Sequence, residues 1–593
     1  MPDRTSGGQF RLERPPGAAG GDWVEPPRLP IPDLEDTCRH YLEIAEPLST
    51  AAELARTSAA VSAFLSGPGP ALQAQLHALD ARAQTSFVHD FWRDVYLRNR
   101  APLAIEQNVA GGFAMPQEWC RAPRAVRAAS VALAVMDFMV KASLGQLPQD
   151  RENGLPLCML QYRGLSGSVR IPGADVDSMR ADPLPSHCIV AWRGAFFPLP
   201  LLREGRLEDA AAVAERIGAI LRWQGETTRI GALTAGERVP WAGLRDRIAA
   251  ANRPQLDAIE TAAFALCIDE DAPDTAAGRA ACWLMASANR WFDKTIQVIV
   301  SDSDFVGCNI EHASADGFLG ARLAQHLLGF IARNPLPRPP AIDAGAGAEP
   351  LRWQLDEQAV NAVENAERQM RRANQRLRIR AFDVPSRSRG VRGDVAAQLA
   401  IQVAYFELMG QMHPVYQPVH MRHFRAGRTE AVRPVTAATL AFCRQAADPA
   451  HERAAMPLAR RAMRDIAGRA SRCRAGRGID RHMLALYYLA VGQGLVIDLF
   501  EDPSYYRLMG PSIVCTSSMA GAAGLDSFAF GPVRPDGFGI AYIAYRDRTA
   551  FCVTAWRSDL DALCEGVGQA LPRVARLAAL RPAMAERAEP VSR

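Results

Sequence analysis

The stretch "TIQVIVSDSDFVGCNIEHASADG", residues 295–317, decides the fold class. "TIQVIV" (295–300) is rich in β-branched residues and reads as a buried strand. "SDSD" is a turn, and "FVGCNI" (305–310) is a second strand that delivers the chain to Glu311 and His312. Asp316 stands four residues beyond the histidine, with Gly317 after it. Strands of this kind among alanine-rich helical segments make the chain mixed α/β.

A histidine in a tight loop straight after a strand is the first chemical candidate. His312 and Asp316 fit an H-x-x-x-D-G pattern in which one imidazole, neutral near pH 7, takes a proton from a hydroxyl or thiol. Asp316 is better suited to holding the loop than to acting on substrate. Taken alone, the pattern fits a surface histidine beside a turn equally well.

Outward from this stretch, helical patterns dominate 50–145 and return over 205–300, and "HCIVAWRGAFFPLPLL" (187–202) is strand-like. "NPLPRPPAIDAGAGAEP" (334–350) has the composition of a linker and marks a domain boundary. Beyond it the pattern predicts a helix over 356–380 and another that ends at Gly410 as its C-cap. Strands follow around 511–517 and 538–554. Residues 1–24, rich in Gly and Pro, are expected to be a loose tail.

The 593 residues suffice for two to four domains. A net charge of +4 gives no support to a general nucleic-acid role. Twelve cysteines, none in a C-x-x-C pair, point to reduced thiols in the cytoplasm rather than a disulfide framework. The longest apolar run, "MLALYYLAVGQGLVIDLF" (483–500), is interrupted by Gln493, two glycines and Asp498, so it reads as a buried helix and not a membrane span. Lysine occurs only at Lys141 and Lys294, and arginine supplies nearly all the positive charge.

Four further segments carry chemistry. "PSIVCTSSMAG" (511–521) offers Cys515, Thr516, Ser517 and Ser518 at a strand end, either as donors to an oxyanion or as a polar turn. No G-x-S-x-G elbow accompanies it, which argues against a serine hydrolase. "YQPVHMRHFRAGRTEAVRP" (416–434), with Arg481 from "GRGIDRHMLAL", gathers Tyr416, Arg422, Arg428, Thr429 and Arg433. Such groups suit a carboxylate held by a guanidinium fork, or a solvated basic face. His413, His420 and His423 suggest a metal, but no nearby cysteine or acidic residue completes a set, so none is expected. Residues 368–392 hold nine arginines against one aspartate, as a solvated face or a partner for a phosphate-rich ligand. With no Walker A or G-x-G-x-x-G motif, ATP and dinucleotides are poor candidates.

Nine pieces in order, "PRLPIPDLEDTCRHYL", "VYLRNRAPL", "NRWFDKTIQVIV", "EHASADG", "AYFELMG", "FRAGRTEAVR", "GIDRHMLAL", "CTSS" and "FGPVRPDGFGIAY", resemble the choline/carnitine acyltransferase family from about residue 25 to 575. The resemblance implies a two-lobed, chloramphenicol-acetyltransferase-like α/β fold with mixed sheets flanked by helices and an active-site tunnel between the lobes. Residues 25–78 and 351–593 would form a C-terminal lobe with the oxyanion serine, and 79–350 an N-terminal lobe carrying the histidine. It implies His312 as general base, Ser517 as oxyanion donor, and Tyr416, Thr429 and Arg481 as ligands of the carnitine carboxylate, with Cys515 beside them and Phe530 near the trimethylammonium. Acyl-CoA and carnitine would be the substrates, with no resident cofactor or metal. Four departures stand out: Cys515 replaces the first serine of a Ser-Thr-Ser motif, "YQPV" stands for Tyr-Glu-x-Ala, "DFWRDVYL" puts Phe91 where a tryptophan is usual, and the family's CoA-binding lysines are absent. Arg387, Arg389 and Arg392 would then take the CoA 3′-phosphate. They also fit a carrier-protein thioester as donor, and the resemblance leaves room for another alcohol, such as choline or a hydroxy-acid, or for a non-catalytic acyl-CoA binder.

Overall fold

A computed structural model describes residues 23–182, 185–270, 273–302, 305–337, 348–385, 392–446, 452–519 and 524–579. Almost all of the expected tail, the middle of the expected linker, and Arg387 and Arg389 lie outside the described residues.

Two mixed sheets with helices packed on them make up the architecture. The first contains β1 (Val109–Ala114), β2 (His187–Trp192), β3 (Ala195–Pro200), β4 (Ala265–Ile268), β5 (Ile296–Val300) and β6 (Phe305–Ile310). The second contains β7 (Arg378–Pro385), β8 (Val415–His420), β9 (Thr429–Val432), β10 (Val514–Ser518), β12 (Phe538–Ala544) and β13 (Arg548–Ala555). Between the last of these lies β11 (Leu525–Phe530), which leaves the second sheet and pairs antiparallel with β1. The first sheet therefore runs β11-β1-β6-β5-β4-β2-β3, and the second β7-β13-β12-β10-β8-β9. By sequence β11 falls within 351–593, yet its ladder is in the sheet that carries His312.

β5 and β6, the two expected strands, pair antiparallel with Ile296 opposite Ile310, and every residue of both is buried. Such continuous apolar runs are what a strand covered on both faces requires. One cover is the helix Arg124–Ser143, whose alanines let it pack closely in the largest apolar cluster. Opposite glycines in the β1–β6 ladder, Gly112 and Gly307, leave room for the Trp283 indole. A Cβ at Gly112 would fall 1.9 Å from Trp283 Cη2, and one at Gly307 2.1 Å from Trp283 Cδ1.

In the second sheet the helices Gly393–Met409 and Leu560–Ala579 share one apolar cluster with β10, β12 and β13. Gly410 caps the first of them with φ 68°, the left-handed conformation that glycine adopts freely. The early helices Leu34–Ala45, Ala51–Ser66 and Gly69–Arg82 pack with the late helix Asp480–Gly492 in a further cluster.

The expected elements need correction. "VAGGFA" and "ALCI" (265–268), inside regions read as helical, are strands β1 and β4. The helix expected over 356–380 ends at Arg376, and β7 starts at Arg378. From that point Arg378, Arg380 and Phe382 alternate with Ile379, Ala381 and Asp383, which is the period of a strand. The apolar run 483–500, read as one buried helix, covers most of the helix Asp480–Gly492, an exposed turn through Val496, and the start of the next helix. Among the described residues no helix is long and apolar enough to cross a membrane.

Candidate active site

β6 ends at Ile310, and the loop that follows is fixed by its own backbone and by buried charge. Glu311 Oε1 accepts from the N–H of Ala313 at 3.0 Å and from Arg170 Nη1 at 3.1 Å. Arg170 also donates to Asp177 Oδ2 at 2.7 Å, and Asp177 accepts from Arg238, which reaches Asp293 at 2.6 Å. This chain of alternating charge is buried throughout. Every member but Glu311 escaped the sequence reading, because the partners lie far apart in the chain.

His312 Nδ1 lies 2.6 Å from the carbonyl of Ala315. A carbonyl can only accept, so Nδ1 carries the hydrogen and Nε2 keeps the lone pair. The ring is about one-fifth exposed and sits 5.0 Å from the Tyr96 ring, centroid to centroid. Asp316 is buried and 3.9 Å from His312 Nδ1, too far for a hydrogen bond. It pairs with Arg428, which donates from Nε at 3.0 Å and Nη2 at 3.2 Å, while Gln161 donates at 2.7 Å. Burial pushes the Asp316 carboxyl up, but Arg428, His312 and these hydrogen bonds outweigh it and hold it below the usual range. Arg428 also donates to the carbonyls of Ala313 (2.7 Å) and His312 (3.1 Å). One guanidinium thus grips the whole histidine loop, and Asp316 serves to orient it.

Tyr416, Thr429 and Arg481 come together as expected. Arg481 Nη2 donates to the Tyr416 hydroxyl at 3.0 Å and its Nε to the carbonyl of Thr429 at 3.1 Å. Its remaining nitrogen meets Asp480, and the guanidinium lies 3.4 Å from the Trp92 ring centroid. Arg433 pairs with the other oxygen of Asp480. Burial raises the neighbouring Glu430 to about 7, with Arg481 opposing the shift and Asp480 adding to it. Cys515 is opposite Tyr416 in the parallel β8–β10 ladder, and burial pushes its thiol up to about 12. Phe530, at the end of β11, shares an apolar cluster with Cys515 and Tyr416.

Ser517 is half-buried on β10, beside Thr516, whose hydroxyl donates to the Tyr416 carbonyl at 2.8 Å. Met519, two residues on, packs close to Gly317 at the end of the histidine loop. Arg392 is paired with Asp394 at 2.8 Å and stands exposed before the helix Gly393–Met409. The expectation that no acidic residue completes the histidine set does not hold. Glu152 brings a carboxylate to His420 and His423, whereas His413 bonds the Tyr405 hydroxyl at 2.9 Å. Tyr96 lies in a motif already singled out, and Trp92 in the segment "DFWRDVYL". Neither carried a signal of its own beyond aromatic spacing.

Residues 29–570 match the protein family described as Choline/Carnitine o-acyltransferase. The chain belongs to that family. It is 29% identical to the carnitine O-acetyltransferase of Rattus norvegicus, over 90% of this chain and 89% of that one. It is also 29% identical to the liver isoform of carnitine O-palmitoyltransferase 1 of Homo sapiens, over 87% of this chain and 72% of the other. With the human choline O-acetyltransferase the identity is 28%, over 90% of this chain and 76% of that one. This member of the choline/carnitine acyltransferase family is an O-acyltransferase.

Proposed function

We propose that the enzyme moves an acyl group reversibly between coenzyme A and the hydroxyl of carnitine, with His312 as the general base. The observation that carries the reading is the cluster of Tyr416, Thr429 and Arg481. Arg481 is permanently charged and buried, and the carboxylate it bonds, Asp480, also serves Arg433, so two buried guanidiniums divide one anion. Burial raises Glu430, and with Asp480 shared in this way the pocket favours an added carboxylate. Choline has none, and the near-equal identities to carnitine and choline enzymes do not separate the two alcohols.

In this reading Nε2 of His312 takes the proton from the carnitine hydroxyl. The alkoxide attacks the thioester carbonyl carbon directly, and Ser517 donates to the oxyanion. The C–S bond breaks, and the departing thiolate recovers the proton from His312. Phe530 faces the trimethylammonium, and Arg387, Arg389 and Arg392 meet the 3′-phosphate of CoA. Twelve cysteines with no C-x-x-C pair fit a reducing, cytoplasmic setting.

Thiol release from acetyl-CoA in the presence of carnitine, choline and hydroxy-acids tests the proposal. His312→Ala should lower kcat by ~10²–10⁴-fold, and Ser517→Ala by ~10²–10³-fold. Arg481→Asn removes a charge-assisted contact of roughly 1.5–3 kcal/mol, about one to two decades in kcat/KM for carnitine. The choline-to-carnitine ratio should rise by the same factor. Equal losses with both alcohols, or no carnitine turnover by the unmodified enzyme, overturn the assignment.

A further inference from the structure

The loop that ends in Arg428 has a second anchor that acyl transfer does not use. His420 closes β8, His423 follows in the loop, and Glu152 lies in a short hairpin strand, Arg151–Glu152, paired with Leu155–Pro156. One donor atom from each of the three lies within 4.8 Å of the others. Oε2 of Glu152 is 3.6 Å from Nε2 of His420, which is long for a hydrogen bond. It is close to the separation of about 3.3 Å between two ligands on a tetrahedral ion with bonds of ~2.0 Å.

The surrounding contacts fit ligation. His423 Nε2 meets the carbonyl of Arg474, which can only accept, so Nδ1 is left with the lone pair. Metal-bound histidines characteristically donate their other ring nitrogen in this way. His420 differs: with Nε2 turned toward Glu152, its Nδ1 is buried without an acceptor of this kind. Arg474 stands 3.5 Å from the other Glu152 oxygen, Oε1, and so holds the carboxylate in place. All three residues are half-buried, within reach of ions from solvent.

We propose that Glu152, His420 and His423 form a binding site for a divalent transition metal, with water completing the coordination shell. Two imidazoles and one carboxylate favour zinc, cobalt or nickel over magnesium or calcium, which prefer oxygen ligands. The ion would clasp the 151–156 hairpin, from the first half of the chain, to the 420–428 loop of the second. That loop ends at the arginine that grips Asp316 and the His312 carbonyl.

Cobalt(II) is the probe of choice, added to the full chain after dialysis against a chelator. One cobalt per chain should bind with visible d–d absorption, and zinc should displace it. Glu152→Gln and His423→Ala should each weaken binding by about tenfold or more, as loss of groups around a metal does. Zinc should raise Tm in the unmodified protein as its concentration rises, and should not do so in Glu152→Gln, whose side chain is half-buried and keeps its shape. Absence of cobalt binding at millimolar concentration overturns the site. Binding unchanged in both variants also overturns it, since the ion would then sit on other histidines or cysteines.

Discussion

Arg428 has φ 54°, a conformation uncommon for a residue with a side chain, and at that position it reaches Asp316 and two loop carbonyls at once. The pair it makes with Asp316 is buried, so removing one partner leaves the other without compensation. Asp316→Asn should therefore cost ~3–5 kcal/mol near neutral pH. The sign of its pH dependence follows from the depressed carboxyl of Asp316. The folded state holds the ionised form more tightly than the unfolded chain does, whose aspartate titrates at about 3.9. The contribution is complete above that value and is lost as pH falls through the lower folded value. The gap in unfolding free energy between the unmodified enzyme and Asp316→Asn should be wide at pH 7 and close in acid. Denaturant titrations at a series of pH values measure it, and a constant gap would show that the pair does not titrate as described. The loop histidine and its aspartate were legible as a spaced pair. The arginine that joins them was visible only as one of several cations in 416–434, because nothing local distinguishes a buried guanidinium from a solvated one.

At the scale of elements, the glycine pair Gly112–Gly307 is a packing device. Each lacks the Cβ that would collide with Trp283. Gly307→Ala should destabilise the fold by about 1–3 kcal/mol or more, the range for an overfilled core, and should slow turnover because β6 leads directly to His312. Chemical denaturation checks the first effect, and unchanged stability would show that the indole has room to move. The same glycines explain why β1 went unread. "VAGGFA" has poor strand propensity, and what holds it is the indole across it and strands on both edges. β5 and β6 were legible because β-branched residues run continuously through them, and Gly410 because a glycine closes an apolar period. β7 was taken into the preceding helix because arginine is common in both and the alternation begins only at Arg378. Glu152 joined no motif, since its histidine partners stand more than two hundred residues away.

At the scale of the whole molecule, each half of the chain completes the other. β11 borders the first sheet, and the helices of residues 34–82 pack with the late helix Asp480–Gly492. Residues 1–340 expressed alone should not unfold cooperatively, and the same fragment co-expressed with 341–593 should co-purify as a soluble pair. A monomeric, cooperatively unfolding 1–340 fragment would refute this. The crossing strand also sets a clock during synthesis. When β1 has left the ribosome, about 400 residues remain before β11 emerges, a wait of roughly 20–80 s at ~5–20 residues per second. Through that interval one side of β1 offers unpaired N–H and C=O groups to any other nascent chain. Gly111 and Gly112, among the weakest strand formers, occupy the centre of that waiting edge. Gly112, which makes room for Trp283 in the finished enzyme, thus also helps to leave the unfinished one a poor template for aggregation.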